Sequence, residues 1–141
     1  MDDAPGSTWT AECQQTQEDS GYRRSILGSM AEQQPRFLLI STRLDKFMQE
    51  HELSCLVRAG GLTPEDFRVF DATSEPVSEE LYEQYDAVFI GGTGDFSVAQ
   101  DRPEWFDGLS KWTAGLLERS VPSLGLCYGF HLMAHATGGE V

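Results

Sequence analysis

Positive charge is scarce in this chain: 10 Lys and Arg stand against 23 Asp and Glu in 141 residues, a formal net charge of -13. Binding a phosphate backbone depends on clustered cations that displace counterions, so nucleic acid is excluded as a partner. Long apolar runs are missing too. None approaches the ~20 residues that cross a bilayer, and no basic segment followed by an apolar one opens the chain, so neither a membrane helix nor a signal peptide is expected. Cysteine is sparse and odd in number. Cys13, Cys55 and Cys127 stand at unrelated spacings, which argues against a disulfide framework and for a reducing, cytoplasmic setting. No Gly-Lys-Ser/Thr follows a glycine loop, so there is no P-loop, and the one approach to G-x-G-x-x-G has Ser97 at its last position.

What is present begins after a polar stretch. Residues 1–35 are rich in Gln, Ser, Thr, Asp and Glu without a sustained apolar period, which predicts a disordered acidic tail. Within it Tyr22, Ile26, Leu27 and Met30 could make one short amphipathic turn. From Arg36 the pattern changes. Phe37, Leu38, Leu39 and Ile40 read as a strand buried on both faces. Leu44, Phe47, Met48, Cys55 and Leu56 then recur near helical spacing up to Gly60-Gly61, a glycine C-cap, which places Cys55 in the core. Thr63-Pro64-Glu65-Asp66 reads as a capped turn before a strand at residues 68–71. Ser78 is the expected cap of a short helix whose inward face is Leu81, Tyr82 and Tyr85.

Ala87, Val88, Phe89 and Ile90 give a third strand, ending in Gly91-Gly92. Asp101-Arg102-Pro103-Glu104 reads as the start of a helix lined by Trp105, Phe106, Leu109, Trp112, Leu116 and Leu117. A strand over residues 121–126, a helix over 128–137 closed by Gly138-Gly139, and a further strand starting at Glu140-Val141 complete the reading. Strand and helix alternate, so the expectation for residues 36–141 is a three-layer α/β sandwich, flavodoxin-like, on a mostly parallel open sheet. Ligands of such sheets bind outside the carboxyl ends of the strands, where the glycine loop at 91–95 and Cys127 both fall.

Gly125-Leu126-Cys127-Tyr128-Gly129 puts cysteine in the serine place of G-x-S-x-G between a strand and a helix, the context that a nucleophile elbow requires. Glycines on either side relieve crowding at a strained turn, and the following helix directs its positive end at the sulfur. The other reading is a small buried cysteine in a tight turn. Gly91-Gly92-Thr93-Gly94-Asp95 offers backbone amides at close approach, as an oxyanion hole or an ordinary glycine loop would. His131 and His135 have the four-residue spacing of a metal pair, but with no acid between them and no third ligand in view, no metal is expected. His51 reads as a surface residue, and Cys13 as an incidental thiol in the tail.

Residues 125–141, with Asp86 to Asp95 as a preceding strand and loop, resemble the nucleophile and oxyanion segments of class I glutamine amidotransferases, most closely the small stand-alone, GMP synthase-like members. The resemblance covers about 36–141 and implies that fold, no cofactor, and hydrolysis of the glutamine side-chain amide. Cys127 would form a γ-glutamyl thioester and ammonia would pass to an acceptor, with a synthetase or acceptor subunit as partner. It further implies that the backbone amides of Gly92 and Tyr128 bind the oxyanion, that Gly94 shapes the loop, and that His131 stands where the family usually has a substrate-holding Gln. Glutamine or another γ-glutamyl compound is the expected substrate. The family's catalytic His and Glu lie well downstream of the cysteine, beyond Val141, so the expectation is a partial domain, inactive in this form. A non-catalytic module of the same fold and a γ-glutamyl peptidase are the alternatives.

Overall fold

The computed structural model describes residues 36–141; the tail, its amphipathic turn and Cys13 lie outside the described residues. Four strands form one sheet in the order β2-β1-β3-β4: β1 Phe37–Ser41, β2 Phe67–Asp71, β3 Ala87–Ile90 and β4 Ser123–Gly125. All three pairings are parallel, with Ile40 beside Phe70 and Ile90, and Ile90 beside Gly125. Strand order reverses between β1 and β3, so the carboxyl ends of β1, β3 and β4 meet at the switch point of the sheet. The helices are α1 Lys46–Gly60, α2 Phe106–Glu118 and α3 Tyr128–Ala136, with 3-10 turns at Pro64–Asp66 and Glu79–Tyr82.

Side chains alternate across a strand, so each face of the sheet has its own partner. Leu38, Ile40, Phe70, Val88 and Ile90 join Leu109, Trp112 and Leu116 of α2 and Leu132 of α3 in one buried cluster. On the opposite face the rings of Phe37, Phe67 and Phe89 meet pairwise, with centroids 5.2 to 5.7 Å apart, and Leu39, two residues on from Phe37, is fully buried. Right-handed crossovers put α1, which leads from β1 out to β2, on this second face, and α2, which leads the other way to β4, on the first.

Several local expectations are corrected. The buried stripe of α1 is not the one with the most apolar residues. Leu44 and Phe47 are 62% and 72% exposed and Cys55 is exposed rather than in the core, 3.7 Å from the His51 ring. The inward stripe contains Gln49, Glu52, Leu53, Leu56 and Val57, of which only Glu52 is buried and the others are half-buried. Asp45 caps this helix and Gly61, at φ 61, ends it. Ser78 makes no side-chain cap; its carbonyl instead accepts from Leu81 N and from the Trp112 indole at 2.8 Å. Helix α2 begins at Phe106, not at Asp101, whose carboxylate accepts from Ser97 N and closes the loop before it. Residues 140–141 pair with no strand among the described residues, since an edge residue needs a neighbouring strand to form a ladder.

Candidate active site

Cys127 sits between β4 and α3 at φ 52, ψ -106, a conformation that costs a non-glycine residue roughly 1–3 kcal/mol. Two glycines make the turn feasible. A Cβ on Gly125 would stand 2.6 Å from the backbone of Gly129 and Phe130, and one on Gly129 would collide with the carbonyl of Ile90. The turn is tied down from below. Leu126 N donates to Ile90 O at 2.9 Å and Gly129 N to Gly91 O at 3.1 Å. The result is an exposed Cys127 at the mouth of the sheet. The strain is localised at the residue whose side chain is held out to solvent.

The glycine loop after β3 is its neighbour. A Cβ on Gly92 would lie 3.7 Å from the Cβ of Cys127, whereas Gly94 has nothing within 4 Å of such a position. The N–H of Tyr128, first residue of α3, is among the first-turn donors that a helix leaves without an internal partner. The N–H of Gly92 is engaged: it donates to Glu52 Oε1 at 2.8 Å. The same oxygen accepts from Arg43 Nη2 at 3.1 Å, and Arg43 comes from the loop after β1. Arg43 and Glu52 therefore share the site with Cys127, and sequence reasoning missed both. The available signal was an acid at Glu52 in register with Met48 and Leu56 on one helix stripe, since such residues are rarely buried unpaired.

The two histidines of α3 separate. His131 is exposed with its ring 6.0 Å from that of Phe130, and His135 packs at 5.4 Å against Phe106 on the core side. Neither hydrogen-bonds the Cys127 sulfur, and a residue one turn along the helix is carried roughly 6 Å away along the axis. A small cavity lined by Ala72, Val77, Trp105 and Leu109, among others, includes none of these site residues.

Tyr128 holds the start of α3 by burying its ring; its hydroxyl has no partner among the described residues. Burial pushes its pKa up from 10 to about 12, with the nearby Arg102 charge opposing. The neutral phenol is thus favoured in the folded state. Between pH 10 and about 12 the unfolded chain ionises this group first, so its stabilising contribution is whole below pH 10 and is lost as pH rises through the folded value. Tyr128→Phe is expected to stabilise the chain at pH 7 by about 1 kcal/mol, because it removes a buried hydroxyl that has no partner among the described residues. It should also flatten the decline between pH 10 and 12, which urea midpoints at the two ends would measure.

No family model matches the chain. It is 39% identical over 66 residues to the GMP synthase [glutamine-hydrolyzing] of Thermobifida fusca, a match covering 47% of this chain and 11% of that protein. It is 44% identical over 55 residues to that of Oleidesulfovibrio alaskensis, covering 39% and 9%. Among solved structures it superposes on a glutamine amidotransferase from Thermotoga maritima with a TM-score of 0.53 at 20% identity, covering 76% of this chain and 44% of that one. A glutamine amido transferase from Methylobacillus flagellatus gives 0.54 at 19% identity, with 77% and 41% covered. The chain spans about a tenth of the curated relatives and under half of these solved structures.

Proposed function

We propose, from the premise that this chain is class I glutamine amidotransferase-like in sequence and in fold, that residues 36–141 are the nucleophile-bearing part of a glutamine-hydrolysing domain. The carrying observation is the positive-φ turn at Cys127, set beside Gly92 and under the open N-terminus of α3.

In this reading Cys127 Sγ attacks the carbon of the glutamine side-chain amide. The thiol proton goes to a base, the C–S bond forms and the carbonyl oxygen becomes an oxyanion. That charge is met by the N–H of Tyr128, which the helix start leaves open, and by that of Gly92 once Glu52 Oε1 has left it. Collapse breaks the C–N bond, ammonia leaves with a proton, and water then cleaves the γ-glutamyl thioester to glutamate and free thiol. Gly94, open on its Cα side, and exposed His131 border the mouth as substrate contacts. The base is neither histidine of α3, since His135 faces Phe106 and His131 lies a turn away. In this reading the proton acceptor comes from outside the described residues. The ammonia acceptor is a synthetase-type partner, the setting is cytoplasmic, and no cofactor takes part.

The test is alkylation of the full chain at pH 8.5 by a chloromethyl ketone analogue of glutamine, in which the ketone oxygen takes the oxyanion's place, sulfur displaces chloride and no base is needed. One adduct is expected, on Cys127, forming at least about tenfold faster than on exposed Cys55, consistent with an oriented reaction, and slowed by added L-glutamine. Equal rates at the two cysteines, with no protection by glutamine, would sink the reading. They would favour a non-catalytic binding module, to which the occupied Gly92 amide also speaks.

A further inference from the structure

The Arg43–Glu52 pair is half-made. A guanidinium edge carries two donors, Nε and one Nη, at the spacing of the two oxygens of a carboxylate. Here only Nη2 meets Oε1; Arg43 Nε and Glu52 Oε2 are both buried without a partner among the described residues. Buried polar atoms in this state are costly to the fold. The carboxylate is held off its own counter-ion because Oε1 is shared with Gly92 N at 2.8 Å. Room for it comes from two missing side chains: a Cβ on Gly91 would run into Glu52 Oε2 and stand 2.9 Å from its Cδ, and one on Gly92 would lie 3.4 Å from Oε1.

From this we infer that Glu52 is a positioning residue that closes the oxyanion site, and that Arg43 opens it. In the closed arrangement, the one observed, a carboxylate oxygen occupies the donor direction of Gly92 N–H. An oxyanion cannot share that place with a second negative charge. In the open arrangement the carboxylate rotates onto the guanidinium edge, Oε2 meeting Nε and Oε1 keeping Nη2. This satisfies both orphaned atoms and frees the Gly92 N–H, whose residue lies next to Cys127. The two arrangements exchange one charge-assisted hydrogen bond for another, so neither is prohibitively favoured. The inference rests on the proposed glutamine chemistry for its purpose, but the closure itself is a property of three groups.

Two substitutions at the pair separate this from a merely structural ion pair, because they act in opposite directions. Glu52→Gln weakens the acceptor on Gly92; Arg43→Lys keeps the charge but removes the two-donor edge that draws the carboxylate away. Amide hydrogen exchange at Gly92 in the folded full chain, followed by NMR, is expected to speed up about fivefold in Glu52→Gln and slow by a similar factor in Arg43→Lys, the scale of one charge-assisted hydrogen bond. In parallel, the chloromethyl ketone rate at Cys127 divided by its iodoacetamide rate should rise about tenfold in Glu52→Gln and fall in Arg43→Lys. That is a fraction of the roughly 10²–10³ that a whole oxyanion donor provides. Exchange at Gly92 moving the same way in both variants, or not at all, overturns the inference. Opposite movement at Gly92 with no glutamine-protected labelling in any variant upholds the closure and removes the glutamine reading instead.

Discussion

Gly129→Ala is expected to destabilise the chain by ~3–5 kcal/mol, a large share of the 5–15 kcal/mol that holds a domain together. Two effects of opposite sign compete. Gly129 lies in α3 with no positive φ, so alanine would favour the helix by roughly 0.5–1 kcal/mol. Against that stands the overlap of its Cβ with the Ile90 carbonyl, with Ile90 C at 2.7 Å and the Ile90 side chain at 3.0 Å. These atoms belong to the centre of the sheet, where packing transmits strain and a shift cannot be taken up locally. Relief means lifting α3 from β3, which breaks the Gly129 N to Gly91 O bond and uncovers Leu132. The steric effect therefore wins. Gly108→Ala supplies the contrast: it is a helical glycine with nothing within 4 Å of its Cβ position, and should stabilise by roughly 0.5–1 kcal/mol. Urea denaturation of the two variants beside the parent chain measures both. If Gly129→Ala melted with the parent, the close seat of the elbow helix on β3 would be refuted.

The elements that sequence pattern located well are those set by local chemistry. The apolar runs at Phe37, Leu38, Leu39 and Ile40 and at Ala87, Val88, Phe89 and Ile90 became the central strands, and alternation with helices implied the parallel order now seen. Gly61 at the end of α1 and the glycines flanking Cys127 could be read because glycine marks conformations that other residues resist. What pattern could not fix was phase. Helix α1 has apolar residues on more than one stripe, so spacing alone did not decide which stripe faces the sheet. The choice fell to the one containing Glu52, because Arg43 and the bare backbone of Gly91 and Gly92 accept its carboxylate there. This is a contact between residues 40 apart in the chain, and no local rule encodes it. Ser78 and Asp101 failed for a related reason. The Asp101 carboxylate is taken by Ser97 N in the loop before α2, and Ser78 stands at the N-cap of its turn with its carbonyl, not its hydroxyl, making the bonds.

At the elbow itself, Cys127→Gly and Cys127→Ala should both abolish glutamine-protected labelling, leaving only unprotected alkylation at the other two cysteines, yet they should part in stability. Loss of sulfur removes the bond-forming atom, so the labelling effect is complete in both. The backbone at φ 52, ψ -106 is penalised for any residue with a Cβ by roughly 1–3 kcal/mol and is nearly free for glycine. Against this, glycine raises the entropy of the unfolded chain by about 0.4–1 kcal/mol. The balance predicts Cys127→Gly to be more stable than the parent by about 1 kcal/mol and Cys127→Ala to stay within ~0.5 kcal/mol of it, since exposed Cys127 contributes little packing. Thermal and urea melts of the three full chains test this. A glycine variant less stable than the alanine one would mean that the turn is not strained. It would leave the exposed sulfur as an accident of a comfortable loop instead of a reactive group held out at a cost to the fold. With the predicted order, stability lost at a single residue coincides with the one position where the proposed chemistry needs it.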